Sequence, residues 1–251
     1  MEDNLLYNYI LTLGDNAMIL GHRLSELCGH GPTLETDIAL TNISLDLFGE
    51  VRNYFQYAAE LKGENYTEDD IAHQRNSRQF YNCILVEQPN TDFAYIIGRQ
   101  FLFDVFHYLN LENLQHNTNE RIAVIAKKSI KEAKYHLRFS TDWLKRLGDG
   151  TDESHSRIKT AINDLYVFTE ELYTPSKIEA EAFEAGFGTD VAALKEPYLN
   201  KVHQTLKEAN ISIPEAAQRY AKGKSGFHTE QLDYILQEFQ YMQKVYPNMQ
   251  W

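Results

Sequence analysis

The chain of 251 residues is long enough for one substantial domain or two small ones, and its 43% hydrophobic content can fill a core. Its 24 Lys and Arg residues against 36 Asp and Glu give a net charge of -12, which argues against a nucleic-acid partner because phosphate binding depends on a basic footprint. No charged segment followed by an apolar run opens the sequence, and no stretch approaches the roughly 20 apolar residues of a membrane span. A cytoplasmic protein with no membrane partner is expected. Cys28 and Cys83 lack the spacings of disulfide scaffolds or zinc sites, and both are expected as small buried apolar residues.

The first segment, about 5–27, carries Leu6, Ile10, Leu13, Ala17, Leu20 and Leu24 at spacings of three and four and stops at the Gly/Pro cluster of residues 29–32. A second, about 33–62, repeats the pattern through Ile38, Ile43, Leu47, Val51, Phe55 and Ala58 and ends at Gly63. A shorter helical segment is read near Ile71 to Val86, before Pro89. A third long helix spans about 92–114, and a fourth about 120–147, ended by Gly148 and Gly150. Shorter helices follow at about Ser154–Tyr173, Lys177–Ala185, Asp190–Glu208 and Glu230–Val245. Four long amphipathic helices most economically form a bundle. The expectation is an all-α fold in one domain, 1–251, with C-terminal helices (about 154–245) packed on the bundle.

Bundles of this kind can hold two irons when two helices each give a carboxylate and two others each give a Glu-x-x-His pair, a spacing that puts both ligands on one face. This sequence offers an incomplete set. On the fourth helix, in "IKEAKYH", the residue three before His136 is Ala133, and Glu132 stands one position out. The second helix has Asp46 and Glu50, the third Asp104 and His107, the first only Asp15 and His22. Plainer readings stand beside these: His136 as a hydrogen-bonded core residue, Asp104 in a buried pair or network, Asp15 satisfying nearby backbone, Glu132 on a solvated or interfacial face, Tyr135 in packing. No phosphate-binding or nucleophile-elbow motif is present, and "AKGKSGFH" at 221–228 reads as a loop whose lysines could meet an anion.

The runs "LTLGDNAMILGHRLSELCGHGPTLETDIALTNISLDLFGEVRNYFQYAAEL", "LVEQPNTDFAYIIGRQF", "IKEAKYHLRFSTDWLKRLGDGTDES" and "GKSGFHTEQLDYILQEFQYMQ" closely resemble the PaaC subunits of bacterial phenylacetyl-CoA 1,2-epoxidases, across nearly the whole chain. The resemblance implies a ferritin-like subunit, itself without a cofactor, that pairs with a homologous catalytic subunit (PaaA) carrying the di-iron centre and served by a reductase, with a homo-oligomer also possible. It implies that the ligand positions fall near Ala17, at Leu47 and Glu50, at Asp104, and at Ala133 and His136. Three ligands are then lost to Ala17, Leu47 and Ala133, as in a relict site, and Glu50, Asp104 and His136 are expected to form a small polar core network.

Three functions remain open on the sequence. The leading one is a non-catalytic structural subunit; the others are a metal-dependent oxygenase with an atypical ligand set and a module that binds a coenzyme A thioester. The fourth helix is basic in an acidic chain, with Lys127, Lys128, Lys131 and Lys134 in its middle. It reads either as a solvated face or as an interface with an acidic partner or an anionic ligand such as coenzyme A.

Overall fold

The computed structural model describes residues 2–63, 65–215 and 222–246. Two long helices open it, α1 (Glu2–Ser25) and α2 (Leu34–Lys62), followed by the short α3 (Glu68–His73) and α4 (Ile84–Glu87). Two more long helices, α5 (Phe93–Leu114) and α6 (Glu120–Gly148), complete the bundle. After them come α7 (Asp152–Tyr166), α8 (Glu170–Tyr173), α9 (Lys177–Glu184), α10 (Lys195–Glu208) and α11 (Glu230–Val245). Among the described residues the only extended pairing is an isolated bridge between Lys222 and Phe227.

Side-chain pairings fix the helix directions. Gly14 lies against Phe55 and Gly21 against Phe48, so α1 and α2 run antiparallel. The approach is close enough that a Cβ at Gly14 would sit 2.5 Å from the Phe55 ring. Asp46 meets His136 while Glu60 meets Arg121, which makes α6 antiparallel to α2. Asp104 meets Ser140 and Phe93 stacks edge-on against Trp143, which makes α5 antiparallel to α6. Helices α2 and α5 therefore point the same way, and residues 63–92 must travel the length of the bundle between them. One long crossover in an otherwise antiparallel bundle is the ferritin-like arrangement.

The four long helices lie within two residues of their expected bounds at nearly every end, because side chains cap them: Thr33 accepts from the Thr36 N–H, Asp92 from Tyr95 and Asn119 from Ile122. The crossover differs from its expectation. In place of one helix from Ile71 to Val86, a capping box of Thr67 and Asp70 starts α3, which stops at His73, and residues 80–83 are not helical. Buried side chains capture the backbone instead. The Tyr81 N–H donates to Asp15 at 2.9 Å, the Cys83 N–H to Asn16 at 2.8 Å, and the Ile84 N–H to Glu171 at 2.7 Å. Each tertiary bond replaces one that a continuous helix would have made. The expected Ser154–Tyr173 helix likewise breaks, since Phe168 and Thr169 bond back only three residues in a tight turn between α7 and α8.

The C-terminal helices pack on the bundle, with α7 against α5, α9 against α1, α10 against α5 and α6, and α11 against α1 and α3. Cys83 is buried as expected, and burial pushes its thiol well up. Cys28 is exposed, contrary to expectation, because it falls in the turn after α1. No helix among the described residues is long and apolar enough to cross a membrane.

Candidate functional site in the bundle core

Ala17 on α1, Leu47 and Glu50 on α2, Asp104 on α5, and Ala133 and His136 on α6 are all buried. Periodicity puts them there, since each lies on the apolar stripe of its helix. The ionisable residues among them do not bond one another. The Glu50 carboxylate meets His107 Nε2 at 3.1 Å. Asp104 accepts from Ser140 Oγ at 2.7 Å and from Gln100 Nε2 at 2.7 Å. His136, about one helical turn before Ser140 on α6, turns its Nε2 to Asp46 at 3.0 Å.

The expected network of Glu50, Asp104 and His136 is therefore three separate polar contacts. Their charges still act on one another. Burial pushes Asp104 up to about 6, against the pull of His136, its two hydrogen bonds and His107. Burial would lower His107, but the adjoining Glu50 charge and hydrogen bond outweigh it and the imidazole is raised. Half-buried Glu132 is raised by burial and by the Asp46 and Glu50 charges, with His136 and Lys128 opposing. Beside this set, a cavity of about 20 Å³ is lined by Glu50, Tyr54, His107 and Asn110, room for about one water. The Tyr54 hydroxyl and Asn110 Oδ1 have no protein partner there.

Iron or another transition metal needs three or more such ligands aimed at one point. Among the described residues no group of three His, Cys, Asp or Glu side chains is placed to hold an ion. Ala17 and Leu47 sit in the main apolar core, and Ala133 in a smaller cluster with Tyr9, Leu111 and Ile122. The donor set does not fit a di-iron group.

Sequence reasoning missed the buried ion pairs that hold the crossover and C-terminal segment. Asp15 forms a two-pronged pair with Arg75, at 2.5 and 2.9 Å. Glu87, fully buried, takes His228 Nδ1 at 2.5 Å, Asn82 Nδ2 at 3.0 Å and both the N–H and hydroxyl of Thr229. His228 Nε2 reaches the Phe80 carbonyl at 2.9 Å. Both ring nitrogens thus face acceptors, so the imidazole donates twice and is cationic; its pKa is raised because Glu87 and Phe80 overcome burial. Lys224, expected as a possible anion contact, is instead buried and paired with Glu179 at 2.8 Å. Residue 221 of that loop lies outside the described residues.

Asp104→Asn is a test of the core electrostatics. An acid whose folded pKa is raised costs stability as pH climbs through the interval between its unfolded value of about 3.9 and the folded one. The amide keeps the shape and removes the buried charge. The variant is expected to be about 1–2 kcal/mol more stable than the parent at pH 8 and equal to it near pH 4, read from urea midpoints at both values.

The antiparallel helices, the long crossover and the buried polar core define a ferritin-like bundle protein. The chain belongs to the phenylacetic acid catabolic protein family, which matches residues 1–251. It is 46% identical over 248 residues to one of the subunits of the 1,2-phenylacetyl-CoA epoxidase of Escherichia coli (strain K12), a match covering 99% of this chain and 100% of that relative.

Proposed function

We propose that this chain is a non-catalytic subunit of an enzyme complex that epoxidises the ring of phenylacetyl-CoA, where it scaffolds a homologous subunit that carries the di-iron centre and receives electrons from a reductase. One observation carries the reading. Ala17, Leu47 and Ala133, at the core positions where the resemblance puts the ligands of a di-iron bundle, are buried and apolar, and Glu50, Asp104 and His136 each contact a different neighbour. A partner-facing role is supported by Leu34, Ile38 and Leu45 of α2, which are 72%, 51% and 61% exposed and lie within about 40° of one another around the helix. Such a stripe is the usual mark of a covered face. Lys127, Lys128, Lys131 and Lys134 of α6 are also exposed and suit a partner with an acidic surface.

The test is co-expression with the catalytic subunit, with metal analysis of each chain and epoxidation assayed with this chain present and absent. Co-purification, iron in the catalytic subunit alone and activity that needs both chains are expected. A catalytic subunit fully stable and active alone would sink the scaffold role, and stoichiometric iron bound to Glu50, Asp104 and His136 would favour the oxygenase reading.

A further inference from the structure

Helix α11 is apolar on two sides. On the inner side Leu232, Ile235 and Leu236 are buried, Phe239 stacks face to face on His22 with ring centroids 4.1 Å apart, and Gln240 Nε2 donates to the Ala72 and Arg75 carbonyls, both at 3.1 Å. These contacts fix which way the outer side points. There Tyr234 and Tyr241 are 56% and 57% exposed and Val245 47%, and the three lie within about 40° of one another around the helix. Exposed tyrosines in an apolar stripe are a mark of an interface.

The charges beside the stripe say what covers it. Exposed Glu230 and Asp233 lie in the first turn of α11 and exposed Lys244 in the last, where its Nζ meets the neutral Gln240 side-chain oxygen at 2.6 Å. None of the three pairs with an opposite charge among the described residues. A partner of one uniform charge would suit one end of the stripe and be repelled at the other, whereas a second copy of α11 running the opposite way matches both ends. Two separate pairings then set the same register. Placing Tyr234 against Tyr241 of the second copy puts the two-fold axis level with Gln237 and Glu238, and so does placing Lys244 between Glu230 and Asp233 of the second copy. Lys244 and Asp233 stand about 20° apart on one flank of the stripe, and Glu238 lies on the other. A two-fold axis across antiparallel helices keeps each flank facing its own counterpart, so Lys244 meets Asp233 and the two Glu238 carboxylates form the opposing like-charge contact.

We propose that α11 is a self-association surface: two copies of the chain pair antiparallel through Tyr234, Tyr241 and Val245, with Lys244 of each copy against Glu230 and Asp233 of the other. A contact of one helix per copy is smaller than the roughly 1,600 Å² of a standard stable interface. The dimer is therefore weak and forms as concentration rises. The pairing stands independently of the scaffold role.

Analytical ultracentrifugation of the purified full chain at rising concentration tests the pairing. The mass is expected to climb from one chain toward two. The double variant Tyr234→Ser, Tyr241→Ser lies on exposed positions, so it keeps the melting temperature and weakens the dimer tenfold or more. Lys244→Glu weakens it about tenfold, because symmetry repeats the reversed contact. Asp233→Lys also weakens it, and an equimolar mixture of the two charge variants returns association to near the parent's strength. Glu238→Gln tightens the dimer several-fold by removing the like charges at the axis. A chain that stays monomeric, a dimer unmoved by the tyrosine variant, a mixture no tighter than either charge variant alone, or a Glu238→Gln dimer no tighter than the parent's overturns the proposal. A tyrosine variant that loses the catalytic subunit in co-purification while its own mass matches the parent's gives the face to another protein and overturns it as well.

Discussion

Asp15→Ala is expected to destabilise the protein by about 3–5 kcal/mol, because it strands the Arg75 guanidinium in the core without its counter-charge. Both side chains are buried, and the pair closes at 2.5 Å. The guanidinium also donates to the Ile71 and Gln79 carbonyls at 2.7 and 3.0 Å and lies 4.0 Å over the Phe80 ring, so it cannot swing to water without dismantling the crossover. Asp15 additionally accepts the Tyr81 N–H, which would lose its acceptor. In a chain of this size the loss corresponds to a fall in melting temperature of roughly 10 °C.

Replacing both partners by apolar residues of similar volume, Asp15→Leu with Arg75→Met, is expected to recover most of that cost. Recovery stops short by about 1–3 kcal/mol because the Tyr81 N–H still lacks an acceptor. Urea midpoints of the two single variants and the double variant measure the coupling. Additive losses would mean the pair is not a unit. The pair ties residues 75–81 to α1, so the single variants should also expose the crossover to proteolysis at lower temperature than the parent does.

The parts of the fold legible in the sequence are those with local causes. Each long helix carries an apolar stripe and a capping residue within one stretch, such as Asp92 before Phe93 or Asn119 before Glu120, and spacing alone locates them. The crossover has non-local causes. Its break after His73 depends on Asp15, Asn16 and Glu171, which lie 66 to 87 residues from the N–H groups they accept. No window on the sequence contains both ends of those bonds. A signal does exist in the acids themselves: Glu87 in "LVEQ" and Asp15 in "TLGDNA" are ionisable residues inside apolar runs, which demands partners of opposite charge, but it does not say which.

The core site divides in the same way. That Glu50, Asp104 and His136 turn inward follows from helical phase, and all three are buried. Their partners are not readable, because helical phase fixes which face a residue occupies and leaves its height relative to neighbouring helices open. Asp46 and His107 stand out as acid and base on their own helices, yet which acid meets which base depends on the relative slide of α2, α5 and α6. Ser140 and Gln100, which hold Asp104, carry no signature that separates them from other polar residues on a helix.

Ala133→Glu, the second large effect, tests whether the core face of α6 is suited to a metal ligand. The substitution buries a carboxylate at a position 2% exposed, and an uncompensated charge there costs about 3 kcal/mol or more at neutral pH. A residue three before His136 shares its face, and His136 Nδ1 is buried without a partner while Nε2 already meets Asp46. A carboxylate at 133 that reached Nδ1 would recover part of the loss. Burial raises the new acid's pKa above its unfolded value of about 4.3, so the penalty is absent at low pH and grows as pH rises through that interval. Unfolding midpoints at pH 4.5 and 8 should therefore differ far more between variant and parent at the higher pH. Ala133→Gln, equal in size and uncharged, separates crowding from charge: it should lose a similar amount at both pH values. Manganese(II) or iron(II) that raises the melting temperature of Ala133→Glu, but not of Ala133→Gln, identifies a face that one added carboxylate makes able to bind metal. A carboxylate whose cost is independent of pH and metal would place position 133 outside the polar core and remove the case that its alanine stands where a ligand belongs.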